Sequence, residues 1–215
     1  EVSSNGTFWM STDQGRVVNV GATGTTLSNT VVCSGKTGGI AAEPNGGFYV
    51  ACHEAHKIVK LNSNLTVTAV ASAGLLNRPY GLTWHPDGYL LIANYLGSNI
   101  LKLSTDNVVS VYASGFNDRP VHLTVHSSGD VYTSSYAIDK GETGVNRIRP
   151  DHTAERILWD TGVWGMATYQ GKVLATSRAA LWIRPINEVP FDISIVDTYK
   201  ASFPKIAQYY LSNYT

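Results

Sequence analysis

A repeat of about forty residues constrains this chain more than any other feature of its sequence. The segments GTFWMS (6–11), GGFYVA (46–51), GYLLIA (88–93), GDVYTS (129–134) and GKVLAT (171–176) read alike. Their equivalent positions Met10, Val50, Ile92, Thr133 and Ala175 are separated by 40, 42, 41 and 42 residues. Four near-equal steps mark an architecture in which each unit buries its apolar faces against the next.

Within one repeat the pattern predicts four short strands, a to d. Strand a is exemplified by PYGLTW (79–84), and a Pro-Asp-Gly turn at Pro86, Asp87 and Gly88 reverses the chain into strand b. Strand c recurs as IVKL (58–61), ILKL (100–103), RIR (147–149) and WIR (182–184). Alternation puts Val59, Leu101, Ile148 and Ile183 on one face and Lys60, Lys102, Arg149 and Arg184 on the other. Strand d is a β-branched run, LTVTAV (65–70) or VVSVY (108–112). Short strands at even intervals, bounded by Gly, Asn and Asp, suit the radial blades of a β-propeller better than a sandwich. The expected fold is all-β, a propeller of four-stranded blades forming a single domain over 1–215, with repeats near 1–35, 36–76, 77–117, 118–161 and 162–197. The first repeat has candidate strands b, c and d at 8–12, 16–20 and 28–33, whereas FPKIAQ (203–208) falls where another strand a is due. The expectation is therefore five blades, closed when 198–215 supplies strand a to the N-terminal blade; the alternative is a partial six-bladed propeller.

Charge narrows the partners. With 16 basic and 16 acidic residues and a pI near 7.2, the chain lacks the basic surplus that nucleic acid or an anionic membrane selects. No apolar run approaches the roughly 18 residues of a membrane span. The chain begins at Glu1 rather than Met, so a processed or truncated form is expected. Sequons at Asn5, Asn64 and Asn213 predict N-glycosylation, and a Ser-, Thr- and Asn-rich composition points the same way, to a secreted, extracellular protein. Cys33 and Cys52 are the two cysteines, compatible with one disulfide or with two buried thiols. A bridge there would staple the first repeat to the second, at roughly 3 kcal/mol of loop entropy.

The stretch LNRPYGLTWHPDGYLLIAN (76–94), together with the later GMA (165–167) through LWI (181–183), resembles the NHL-repeat and SMP-30/gluconolactonase group of propellers. The resemblance extends over about residues 36–194. It implies a propeller, usually of six blades. For lactonase-like members it also implies a divalent cation such as Ca²⁺ at the central channel, held by Glu, Asn and Asp of inner strands. One such Asn stands directly before the Gly of an Asn-Gly-Leu strand a. Here that place is taken by Gly38, Tyr80, Val121 and Trp164, and none offers the carboxylate or amide oxygen a hard cation needs. The metal site does not carry over, and this counts against lactonase activity.

No Gly-x-Ser-x-Gly elbow, phosphate-binding loop or dinucleotide fingerprint occurs, so no catalytic residue, metal ligand or cofactor is assigned. In a propeller the b–c and d–a loops share one face with the channel mouth. Those loops carry His53, Glu54 and His56; Asn94, Tyr95 and Asn99; a longer excursion over 136–146; and Asn77, Arg78, Tyr80, Asp118, Arg119, His122 and Trp164. His53 and His56 lack a third zinc ligand and are expected to be exposed loop residues. For Asp118 and His122 an acid–base pair is weighed against a structural salt link through Arg119, and the salt link is favoured. The ligand-binding candidates are Arg78, Tyr80, Tyr95, His122, Tyr136 and Trp164. Aromatic faces beside amide and guanidinium donors suit a sugar or small polar ligand, although aromatic residues also pack between blades. The expected function is an extracellular binding or structural interaction module. Its partner would be a glycan, a small polar ligand, a protein or a second copy of itself. The alternative is an SMP-30-like lactonase with Ca²⁺ at an altered metal site.

Overall fold

The computed structural model describes residues 8–177 and 184–185, apart from 22, 44–45, 73, 116–117, 138–142, 161–162 and 170. The first sheet contains β1 (Phe8–Ser11), β2 (Arg16–Val20) and β3 (Thr26–Val31). The second contains β4 (Thr37–Ala42), β5 (Phe48–Cys52), β6 (Lys57–Leu61) and β7 (Val67–Ala71). The third runs through β8 (Pro79–His85), β9 (Tyr89–Asn94), β10 (Asn99–Leu103) and β11 (Val109–Ala113). The fourth holds β12 (Asp118–Val125), β13 (Val131–Ala137), β14 (Thr143–Ile148) and β15 (Ala154–Asp160), and the fifth β16 (Val163–Tyr169), β17 (Lys172–Ser177) and β18 (Arg184–Pro185). Every sheet is an antiparallel meander in chain order, one per repeat. The repeat period thus becomes one up-and-down blade. Strand d of the first blade lies at Thr26–Val31, two residues ahead of its expected start. The proposed closing strand at 203–208 and Ile183 lie outside the described residues.

The second, third and fourth blades are apolar on both faces because each is sandwiched between two others. Strand β5 is buried at all five positions. Its Phe48, Val50 and Cys52 pack with Trp9 and Val17 of the first blade, while Tyr49 and Ala51 pack with Leu90 and Ile92 of the third. The period-two alternation therefore selects which neighbour a side chain meets. Leu91, Ala93 and Ile100 meet Leu123, Val131 and Ile148 across the next interface, and Tyr132 and Val145 meet Val173 and Ala175 across the one after. Val59, Leu101 and Ile148 all face the preceding blade, as alternation predicts.

The first strands of successive repeats lie side by side, β4 by β8, β8 by β12 and β12 by β16, which makes them the inner strands. Their approach is close enough to require glycine. A Cβ on Gly38 would come 2.6 Å from the Tyr80 carbonyl oxygen, and one on Gly81 would collide with that of Val121. Each inner strand also breaks register against its partner at an equivalent place: between Thr37 and Ile40, Pro79 and Leu82, Pro120 and His122, and Val163 and Gly165. A bulge of this kind twists a strand and re-aims its side chains, and here it recurs where the inner strands begin.

Candidate functional site

Three consecutive blades bring four rings together beside these bulges. Tyr80 stands in the bulge of β8, and His122 is the first residue paired after the bulge of β12, at the repeat position that Gly39, Gly81 and Gly165 hold elsewhere. Tyr95 opens a single 3₁₀ turn, Tyr95–Gly97, directly after β9. His53 follows β5 at the same repeat position as Tyr95. The His53 and Tyr80 rings meet edge to face at 5.4 Å between centroids, and His122 meets Tyr80 in the same way at 5.8 Å. Tyr95 lies 5.7 Å from His53 and 6.4 Å from Tyr80. These separations and tilts are the ordinary ones for attractive aromatic pairs.

The structure therefore joins three of the six predicted residues, Tyr80, Tyr95 and His122, and adds His53. The expectation that His53 is an exposed loop residue is corrected: it is buried, and its Nδ1 lies 3.2 Å from the Pro79 carbonyl oxygen. Glu54 and His56 beside it are exposed. Repeat register carried the missing signal, because His53, Tyr95 and Tyr136 occupy one position in successive blades. Arg78 is exposed at the rim with a left-handed backbone (φ 51°), its N–H donating to His56 Nδ1 at 3.2 Å. Tyr136, exposed, stands opposite Arg119 across β12 and β13, and among the described residues no ring contact ties it to the four rings. Trp164 falls on β16, with its side chain outside the described residues.

The predicted salt link through Arg119 is also corrected. Asp118 is buried and is bonded instead by Arg156 of β15 and, at 3.1 Å, by Asn146 Nδ2 of β14. Arg156 and Asn146 satisfy the carboxylate from neighbouring strands of the same blade, which leaves Arg119 to turn toward the preceding blade. Its guanidinium carbon sits 5.4 Å over the Tyr95 ring, and its buried Nε has no hydrogen-bond partner.

Burial holds the His53 imidazole below the ordinary histidine range, and the positive charges of Arg78 and Lys36 act in the same direction against the Pro79 bond and Glu54. Burial alone lowers His122. Both rings are therefore neutral at neutral pH, each with a nitrogen able to accept a proton. Gly38, Tyr80 and Val121 bring no carboxylate or amide oxygen to the inner strands, and among the described residues no group of three His, Cys, Asp or Glu side chains converges.

Cys33 and Cys52 form a disulfide with Cα atoms 5.4 Å apart, tying the end of the first blade to β5. Of the three sequons, Asn64 is exposed on the β6–β7 turn; Asn5 and Asn213 lie outside the described residues. No helix among the described residues is long and apolar enough to cross a membrane.

Meanders of three or four antiparallel strands around bulged inner strands define the fold of a β-propeller. No protein-family model matches the chain, and no curated protein does. Solved structures match its fold. A streptogramin B lyase superposes with a TM-score of 0.70 at 16% identity, over 85% of this chain and 62% of that one. The propeller of a nidogen/laminin complex gives 0.70 at 15%, over 85% and 73%. A putative gluconolactonase gives 0.57 at 16%, over 66% and 56%. The chain thus spans about three fifths of the lyase it resembles.

Proposed function

We propose that this chain is an extracellular binding module whose ligand face is the inner rim built by His53, Tyr80, Tyr95 and His122, and that the ligand is a sugar-type ring. The observation that carries this reading is the convergence of four rings from three blades on one edge of the inner strands. Flat apolar faces bordered by imidazole and guanidinium donors suit a ring that is apolar on its faces and polar at its rim. The buried disulfide and the exposed Asn64 sequon support an oxidising, secretory setting. A chain of the same fold in a nidogen/laminin complex supports the use of such a scaffold for binding.

The test is a glycan array followed by calorimetry on the best binder, with wild type, Tyr80→Ala and Tyr95→Ala. Truncating one stacking ring is expected to weaken binding about tenfold while leaving the melting temperature near wild type at the partly exposed Tyr95. Unchanged affinity in both variants would sink the reading.

A second reading, a lactonase or related hydrolase with an altered metal site, draws on the two neutral imidazoles flanking the Tyr80 ring. Lyase and gluconolactonase structures of the same fold support the scaffold's use for chemistry. Turnover of an aldonolactone or a streptogramin by the wild type, lost in His122→Ala, would replace the binding reading.

A further inference from the structure

Among the described residues, two arginines at the rim have no carboxylate partner. Arg119 lies over Tyr95, its Nε is buried without a hydrogen-bond partner, and no ion pair reaches it among the described residues. The neighbouring acid, Asp118, is taken by Arg156 and Asn146 and faces away from this demand. Arg78 stands exposed a few residues along the same rim, and among the described residues it has no carboxylate partner either. Lys36 is already paired with Asp13 at 3.4 Å, and Glu54 accepts the Lys36 backbone N–H at 3.0 Å. Two arginines therefore remain beside a platform of rings.

Arg119 is only partly buried and has no ion-pair partner among the described residues, so an anionic ligand group would meet guanidinium donors that no carboxylate of the protein has taken. The planar fork suits a carboxylate better than a hydroxyl, because two oxygens accept in parallel. The rings call for a flat cyclic body on the same ligand.

We propose that the rim takes a carboxylate-bearing saccharide, with the sugar ring against Tyr80 and Tyr95 and the carboxylate on Arg119, seconded by Arg78. This rests on the binding-module reading and names its ligand class. Calorimetry with a uronate trisaccharide, the neutral hexose trisaccharide of the same linkage, free glucuronate and an Asp/Glu peptide tests it.

The expected result is that the uronate trisaccharide binds about tenfold or more tightly than its neutral counterpart. Arg119→Gln should erase that difference by weakening the uronate far more than the neutral sugar, and added salt should weaken the uronate alone. Free glucuronate is expected to bind more weakly than the trisaccharide; equal affinity would place recognition in a single sugar acid and still support the class. Equal binding of acidic and neutral trisaccharides by wild type would overturn the acid preference while leaving a sugar-binding rim. Peptide binding as tight as uronate would overturn the saccharide and leave charge alone. No binding of any saccharide would overturn this proposal and the sugar reading beneath it. Should Arg119→Gln fail to fold, Arg119→Lys and the wild-type salt titration carry the same decision, since lysine keeps the charge and loses the fork.

Discussion

Asn94 has no exposed surface and spends its whole side chain on tying the chain together. Its Oδ1 accepts the Asn77 N–H at 2.7 Å, and its Nδ2 donates to the Leu75 carbonyl oxygen at 2.9 Å and to Asn99 Oδ1 at 2.8 Å. One amide thus fixes the linker entering the third blade, the end of β9 and the start of β10. Equivalent positions in the neighbouring repeats do the same with other chemistry. Cys52 does it by the disulfide to Cys33, and Ser135 by accepting Asn146 Nδ2, which also holds Asp118. The Asn94→Ala variant removes all three of these hydrogen bonds, and should lose about 2–3 kcal/mol in urea unfolding with little change in m-value. Sequence reading placed Asn94 among rim candidates by residue type, because nothing local says that its partners lie 17 to 19 residues earlier in the chain.

At the scale of elements, blades hold by their faces and are stapled at one edge. The Cys33–Cys52 bridge spans 19 residues and joins β5 to the segment leaving β3, beside the Trp9–Phe48 ring pair at 4.5 Å. Both sulfurs are buried, so the native bond is shielded from thiol reagents. Replacing both cysteines with serine should lower unfolding stability by about 3 kcal/mol, read as a drop in the denaturant midpoint. Farther along, the third and fourth blades are joined by a second aromatic set. His85 stacks on Tyr89 at 4.4 Å, Lys102 Nζ sits 3.9 Å over Tyr89, and Tyr112 meets His152 edge to face at 4.5 Å. Sequence reading found these strands, but the pairing of rings across blades needed the blades to be set side by side.

For the molecule as a whole, three imidazoles titrate against folding. His53, His85 and His122 are all held below the ordinary value of 6.5, each chiefly by burial. A histidine whose folded pKa is depressed contributes nothing adverse while both states are neutral, above about pH 6.5. As pH falls through 6.5 toward the folded values, the unfolded chain binds protons that the folded chain resists, and stability is lost. The melting temperature is therefore expected to be flat from pH 8 to 7 and to fall below pH 6.5. His122→Gln should reduce the slope. A melting temperature unchanged down to pH 5 in wild type would contradict burial as the cause.

The repeat period, the strand positions and the alternation of faces were legible in the sequence because each is local. A 41-residue rhythm, a Pro-Asp-Gly turn and a period of two are readable from neighbours along the chain. The candidate rim was legible in part: Tyr80, Tyr95 and His122 announced themselves as aromatic and imidazole side chains at blade ends. Three things belonged to tertiary structure. A register break in each inner strand set where Tyr80 and His122 sit. Packing between the second and third blades buried His53 against Pro79. The partner chosen by Asp118 was Arg156, 38 residues away, which left Arg119 for the rim. Each depends on which strands a blade sets side by side, and the cost of leaving a buried polar group unpaired acts only once those strands have met.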